Sequence, residues 1–187
     1  MGLAHEVGKN IGRAIAPFRA GANKLASRKI RVPSVRTLEV KIGSFEDGGT
    51  IPVELTSDGG GVSPAIMWSD PPDAARSIVV LAEDPDAPFP NPFVHWLVCN
   101  IPSTARALGG APEAAATAVQ GKNSMLKEGY TPPAPPAGHG VHHYHFQVFA
   151  LDTVLDVEAG VGRGRLLELM EDHVLAWGEI VGTYERL

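Results

Sequence analysis

Two segments of the chain place acids, histidines and prolines at the ends of apolar runs. The first extends from Ala82 to Pro102 and contains Asp84, Asp86 and His95. Proline fixes its own φ and restricts the preceding residue, so carboxylates set among prolines lose little freedom when a site forms. The second segment, Pro135 to Asp152, has the same form, with four histidines and a tyrosine after a Pro/Gly loop. We expect the two loop-to-strand junctions to converge on one cleft.

The histidines of the second segment do not form an obvious metal set. Alternate side chains of a strand point to opposite faces, so His143 and His145 face one way while His142 and Tyr144 face the other. No cysteine or glutamate at ligand spacing completes a set. We therefore expect no metal ion and no cofactor.

A catalytic role has weaker support than a binding role. A Gly-x-Ser-x-Gly motif is absent, and Ser63 lacks the strand-turn-helix context of a nucleophile elbow. Asp84 and Asp86 suit either acid–base chemistry or the bracing of a loop through hydrogen bonds to backbone amides. We expect no catalytic residues, and hydrolysis stays open as a remote alternative.

Length and composition are typical of one soluble globular domain. The chain has 187 residues, of which 44% are hydrophobic and 20% charged, and no apolar stretch approaches the ~20 residues that span a bilayer. Glycines and polar residues between Gly8 and Arg13 interrupt the N-terminal segment, unlike a secretory signal, which predicts a cytoplasmic protein. The single cysteine, Cys99, lies in an apolar run, which predicts a buried thiol and excludes an intrachain disulfide.

The first 31 residues form a basic segment on an acidic body. They carry seven Lys/Arg and one Glu, against nine basic and twenty acidic residues in the rest. This asymmetry argues against nucleic-acid binding by the body and predicts that the segment docks on its own or a neighbouring body. We divide the chain into an arm, residues 1–35, and a domain, residues 36–187.

The arm has the periodicity of an amphipathic helix, in which Pro17 introduces a kink or starts a second helix. Its apolar positions recur every three or four residues, namely Leu3, Val7, Ile11, Ile15, Phe18, Ala22 and Leu25. We expect this stripe to pack on protein, preferably in a homodimer, with binding to a membrane surface as a weaker alternative.

The rest of the chain predicts a mainly β fold. Short alternating or apolar runs are expected as strands at Leu38–Ile42, Ile51–Leu55, Ser77–Ala82, His95–Ile101 and His143–Leu151. The loops between them are too irregular for crossover helices, which favours antiparallel sheets. Helical spacing from Leu166 to Tyr184 predicts a C-terminal helix that caps the sheet. The long loop from Gly109 to Gly140 is expected to be functional or to cover the surface.

Both segments closely resemble the signature regions of the phosphatidylethanolamine-binding proteins. The resemblance rests on Asp84-Pro-Asp-Ala-Pro88, on His95-Trp96 and on Pro-Pro-Ala-Gly-His-Gly-Val-His-His-Tyr144. Further motifs look like the bacterial Raf kinase inhibitor-like branch: Ser44-Phe-Glu-Asp-Gly, Ile51-Pro, Thr56-Ser-Asp-Gly, Ser63-Pro, Trp68, and His173-Val-Leu-Ala with Val-Gly-Thr-Tyr184. The resemblance covers Thr37 to Leu187. It implies a β-sandwich around a large antiparallel sheet, with a C-terminal helix near a pocket.

The resemblance also implies an anion pocket with a candidate cis bond between Ala87 and Pro88. The expected ligand-binding residues are Asp84, Asp86, Pro88, His95, Pro136, Gly138, His142 and Tyr144, with His139, His173 and Tyr184 at the rim. Imidazoles, a phenol and backbone amides suit a phosphate monoester, and Asp84 can hold one nitrogen of a histidine while the other faces the ligand.

Three positions depart from the family pattern. His143 stands where arginine is usual, Ala134 where bacterial members often have cysteine, and Asp172 where glycine is expected. The first departure affects a salt bridge that supports the strand, and the other two affect the pocket rim.

The function that these residues favour is a regulatory module that binds a phosphate-bearing small molecule or a phosphorylated group. The alternative is a kinase or protease inhibitor that acts by protein–protein contact. Because imidazoles titrate near neutral pH, we expect phosphate affinity to rise as pH falls from about 7.5 to about 6.

Overall fold

Two antiparallel sheets form the body of the protein in the computed structural model. The structure describes residues 2–35, 37–109 and 118–187, without the side chains of residues 2–5. The larger sheet has the strand order β6-β4-β3-β7-β8, and the smaller has the order β1-β2-β5. Their bounds are β1 Val40–Ile42, β2 Ile66–Trp68, β3 Ser77–Asp84, β4 Phe93–Pro102, β5 Ala107–Leu108, β6 Val119–Gln120, β7 His142–Leu151 and β8 Val174–Tyr184.

The larger sheet is buried on both faces. One face packs on the smaller sheet, where Ile66 and Trp68 meet Val80 and Phe146. The other face is covered by helical segments: α2 at Ala26–Lys29 and α3 at Arg163–Met170. Because both faces are covered, every residue of β3 is buried, and residues 78–82 form a continuous apolar run rather than an alternating one. The predicted β-sandwich with a helix in the C-terminal part is confirmed.

Two predicted elements are wrong. Ile51–Leu55 is not a strand, because Pro52 has no N–H for a sheet and the chain instead forms a 3-10 turn at Val53–Leu55. The predicted C-terminal helix ends at Met170, and the residues from Val174 onward form β8, which pairs with β7 along its length. The residues that are spaced as in a helix from Leu166 to Tyr184 therefore belong to two elements, a short helix and the strand that follows it.

The arm begins with helix α1, Gly2–Ile15, which ends two residues before Pro17; Pro17 neither kinks this helix nor starts a second one. It packs on its own body, one of the two alternatives, but three residues of the apolar stripe do not make the contact. Val7, Ile11 and Phe18 are 51%, 57% and 66% exposed. The buried position is Gly12, where an added Cβ would lie 1.9 Å from the Ala137 carbonyl oxygen. The helix thus docks backbone against backbone, through a residue that has no side chain.

Other expectations can be compared with the described residues. Cys99 is buried, and burial raises the pKa of its thiol to about 11. The loop from Gly109 to Gly140 contains β6 and forms part of the cavity described below, although residues 110–117 lie outside the described part. Within the described ranges, no helix is long and apolar enough to cross a membrane.

Candidate functional site

A cavity of about 430 Å³ opens at the end of the larger sheet where β3 ends and β4 and β7 begin. Asp84 is the last residue of β3, His95 is the third of β4, and His142 and Tyr144 are the first and third of β7. Because β3 runs antiparallel to both neighbours, these strand ends lie together. The two segments selected from the sequence therefore line one cavity, as predicted.

The cavity has a polar floor and apolar walls. Six of the predicted ligand-binding residues line it: Asp84, Pro88, His95, Pro136, His142 and Tyr144. Most of the other lining residues are apolar: Ala87, Phe89, Phe93, Met125, Pro132, Ala134 and Pro135. The Ala87–Pro88 bond, expected to be cis, is trans, the lower-energy form even before proline.

Asp84 is fixed by backbone and side-chain donors. Its Oδ1 accepts N–H groups from Asp86 at 2.8 Å and Ala87 at 3.2 Å. Its Oδ2 lies 2.7 Å from Nδ1 of His142. The other nitrogen of His142 does not face the cavity as expected, because Nε2 lies 2.7 Å from Nδ1 of His139.

His95 presents one nitrogen without a hydrogen-bond partner among the described residues. Its Nδ1 lies 2.6 Å from the Thr131 carbonyl, which can only accept, so Nδ1 carries the proton and Nε2 is left over. Burial lowers the pKa of His95 below its usual value, although the Asp84 carboxylate opposes this shift. Nε2 is thus a neutral acceptor.

Tyr144 supplies a donor to the same floor. Its side chain is 2% exposed, and its hydroxyl is the one fully buried side-chain polar atom, among the residues that the structure describes, without a hydrogen-bond partner. Burial and the Asp84 carboxylate raise the pKa of this phenol, so it stays protonated. Its ring makes an edge contact with His95, with centroids 5.1 Å apart.

His139 is not a rim residue. It is 2% exposed and lies beneath the arm, with Nε2 3.1 Å from the Ile15 carbonyl oxygen. Burial and the neighbouring His142 lower the pKa of His139. It therefore connects the arm to a cavity residue.

Asp86 faces the arm and β7 rather than the cavity. Its Oδ2 accepts the N–H of His143 and contacts that residue's Nδ1 at 2.7 Å, while Oδ1 forms a 2.6 Å ion pair with Arg19. Burial by itself would raise the pKa of Asp86, but the hydrogen bonds from His143 and Arg19 hold it below its usual value. The arginine that pairs with Asp86 is therefore Arg19 of the arm. Position 143, where arginine was expected from the resemblance, is a histidine.

Three other predicted residues lie away from the cavity. Gly138 is under α1, and its N–H donates to the Arg186 carbonyl. Tyr184 donates its hydroxyl to Asp58 in a separate depression near the C-terminus. His173 pairs with Asp152 at the far end of β7, roughly 30 Å of strand from His142. It was expected at the rim because the sequence placed it on a helix.

Several groups at the site had no clear signal in the sequence. Thr131 and Ile15 act through backbone carbonyls, which every residue has. Phe89 and Phe93 form an aromatic wall, with ring centroids 5.6 Å apart, and their sequence positions could equally have suited the core.

The chain resembles several known proteins. The phosphatidylethanolamine-binding protein family model matches residues 41–185. The chain belongs to the phosphatidylethanolamine-binding protein family. A UPF0098 protein from Pyrococcus horikoshii is 39% identical over 155 residues, which cover 80% of this chain and 78% of the relative.

Two solved structures of family members have similar folds. A putative phosphatidylethanolamine-binding protein homologue from Chlamydia trachomatis has a TM-score of 0.74 and 37% identity, covering 82% of this chain and 100% of its own. Escherichia coli YbcL, described as a new member of the mammalian family, has a TM-score of 0.71 and 30% identity, covering 80% and 99%.

The structure places the two remaining departures from the family pattern. Ala134 lines the cavity, so the residue type at this position changes the cavity wall. Asp172 has φ of +66°, in the region that favours glycine, and its carboxylate pairs with Arg31 of the arm. Asp86 and Asp172 thus both bind arginines of the arm, in agreement with the predicted docking of a basic arm on an acidic body.

Proposed function

We propose that this family member is a ligand-binding regulatory module whose cavity takes a phosphate-bearing small molecule or a phosphorylated group. The observation that supports it most is the buried Tyr144 hydroxyl without a partner at the cavity floor. A buried donor left unpaired costs about 1–3 kcal/mol, which an acceptor oxygen of a ligand would relieve. His95 lies beside it and offers Nε2 as a second polar contact.

The walls favour a ligand with a small polar end and an apolar remainder. Phe89, Phe93 and Met125 line the cavity beyond the floor. Phe89 and Met125 are 53% and 56% exposed, so the apolar wall reaches solvent. No lysine or arginine is among the described lining residues. A phosphate would therefore be held by neutral or protonatable donors, with affinity that depends on pH.

Calorimetric titration with inorganic phosphate, phosphorylethanolamine and phenyl phosphate tests this function. Tyr144→Phe removes the unpaired hydroxyl and should weaken phosphate binding about tenfold, the effect of ~1.4 kcal/mol. Tyr130→Phe is the matched control, because the Tyr130 hydroxyl donates to the Leu55 carbonyl and lies outside the cavity lining. Tighter binding of phenyl phosphate than of inorganic phosphate would support the role of the apolar wall.

Two outcomes would overturn the proposal. One is a wild-type protein that binds none of the three compounds at millimolar concentration. The other is equal phosphate affinity in wild type and Tyr144→Phe, which would remove the unpaired hydroxyl from the site.

A further inference from the structure

A chain of three buried contacts connects the cavity to the N-terminal arm. Asp84 Oδ2 lies 2.7 Å from Nδ1 of His142, whose Nε2 lies 2.7 Å from Nδ1 of His139. The Nε2 of His139 lies 3.1 Å from the Ile15 carbonyl oxygen in the arm. Asp84, His142 and His139 are 3%, 1% and 2% exposed, so water cannot readily replace any of these partners.

These three contacts require three protons. A hydrogen bond needs one proton between its two heavy atoms, and the Ile15 carbonyl can only accept. One carboxyl group and two imidazoles must therefore share three protons, which makes the group of Asp84, His142 and His139 neutral overall. Burial and His142 lower the pKa of His139, which disfavours a second proton on that ring, so the extra proton is shared along the two contacts that His142 makes.

Undocking of the arm reduces this requirement to two protons. Without the Ile15 carbonyl, one proton between Asp84 and His142 and one between His142 and His139 satisfy both remaining contacts. If the docked state holds only two protons, one of the three contacts has no proton between its two heavy atoms, and the two lone pairs that face each other there repel. Docking is then linked to the uptake of one proton.

We propose that the N-terminal arm docks on the body through a proton-dependent bridge, in which His139 connects the Ile15 carbonyl to the cavity residue His142. His139 is a positioning residue here, since it fixes one nitrogen of His142 and responds to the presence of the arm. Lower pH strengthens docking, and higher pH loosens the arm beside the cavity.

Other charged groups near the bridge determine the choice of control. Arg19 from the arm donates to the His139 carbonyl and pairs with Asp86, which also binds His143. His95 lies on the cavity side, near Asp84. His143 is connected to the arm through Asp86 and Arg19, so the test must change His139 while leaving His143 and Arg19 in place.

Hydrogen exchange of two arm amides measures docking in the full-length protein. The Ala20 amide donates to the Ala87 carbonyl and the Gly21 amide to the Pro85 carbonyl. After correction for intrinsic exchange rates, their protection should fall by up to tenfold per pH unit between about pH 6.5 and pH 8. The Ser57 amide, which donates to the Pro133 carbonyl, should show no such slope.

His139→Gln separates the bridge from the other histidines. Glutamine can donate to the Ile15 carbonyl but does not titrate in this range, so the protection of Ala20 and Gly21 should become independent of pH. His173→Gln removes an exposed histidine at the opposite end of β7 from the bridge and should keep the wild-type slope. A wild-type protein without a slope, or a His139→Gln variant that keeps it, would overturn the proposal.

A glycine pair in α1 provides a second test if His139→Gln does not fold. Gly12→Ala places a methyl group 1.9 Å from the Ala137 carbonyl oxygen, whereas Gly8→Ala meets nothing within 4 Å. Gly12→Ala should lower the protection of Ala20 and Gly21 at least tenfold at pH 6.5 and abolish its pH slope, while Gly8→Ala should behave like wild type. A full slope in Gly12→Ala would assign the proton to another group and refute the bridge.

Discussion

At the scale of single residues, burial decides how His95 responds to pH. Its Nδ1–H donates to Thr131, and burial lowers its pKa although Asp84 opposes the shift. The unfolded chain binds a proton near pH 6.5, but the folded protein does so only at lower pH. The folded state is therefore fully stable above about pH 6.5 and loses stability as pH falls below it, by up to ~1.4 kcal/mol per unit of pKa difference.

Phosphate should respond to His95 with the opposite sign. A proton is needed between Nε2 and a phosphate oxygen, so affinity rises as pH falls. Because burial lowers the pKa of His95, this rise should occur at lower pH than for an exposed histidine. Urea unfolding of the ligand-free protein from pH 7 to 5.5 checks the stability effect. His95→Gln keeps a donor to Thr131 and should reduce the loss of stability, and His173→Gln should not. An unchanged loss in His95→Gln would show that other groups titrate.

The residue types predicted much of the cavity but not how its members are connected. Asp84, His95, His142 and Tyr144 were selected because they lie at two loop-to-strand junctions expected to converge and because they match the signature regions of the family. Asp86 and His139 were selected on the same basis, yet they bind the arm instead. Their partners include Arg19 and a backbone carbonyl far away in sequence, and such pairings arise only from the packing of the arm.

At the scale of elements, β8 shows why periodicity misled the sequence analysis. Leu166 and Met170 are spaced as in a helix, and they do lie on α3. Trp177 continues the same spacing but belongs to a strand, where its ring stacks on Phe149 of β7. Short apolar runs are compatible with the period of a helix and with that of a strand. Here, pairing with the buried strand β7 makes the segment a strand. The apolar runs of β3, β4 and β7 were correctly predicted, because flanking Pro/Gly loops limit their length.

The substitution Gly178→Ala should change the stability of the protein in opposite directions, depending on whether residue 178 lies in a strand or in a helix. In a helix, Gly→Ala would stabilise the protein by up to ~1 kcal/mol. In β8, the new methyl group would lie 2.1 Å from the Leu38 carbonyl oxygen, so Gly178→Ala should destabilise by at least ~2 kcal/mol. Gly164→Ala in α3 meets nothing within 4 Å and should be neutral or stabilising. Denaturant unfolding measures both variants, and a stabilising Gly178→Ala would contradict the strand.

At the scale of the whole molecule, the arm has two parts with different roles. Helix α1 leaves Val7 and Ile11 exposed and contacts the body through Gly12. The segment from Leu25 to Ile30, in contrast, contributes to the interior: Leu25, Ala26 and Ile30 are 3%, 0% and 8% exposed. The sequence separated the arm from the domain by charge and periodicity, which do not reveal that its second part completes the core.

This second part also satisfies buried polar groups of the larger sheet. The Ala26 amide donates to Glu83 Oε2 at 2.8 Å, and the Ser27 amide donates to Gln147 Oε1 at 3.1 Å. Glu83 and Gln147 are both fully buried. Removing the amides would leave their acceptor oxygens short of donors, at about 1–3 kcal/mol each.

Two truncations should therefore differ sharply in stability. Deletion of residues 2–16 removes α1 and should change the free energy of unfolding by no more than ~1–2 kcal/mol, because little apolar surface is lost. Deletion of residues 2–31 also removes Leu25, Ala26 and Ile30 and should cost at least ~4 kcal/mol or prevent folding.

Light scattering on the wild type and the shorter truncation tests the predicted homodimer. A dimer that becomes a monomer would place the contact on the exposed stripe of α1, a dimer in both proteins would place it elsewhere, and a monomeric wild type would show that the homodimer prediction is wrong.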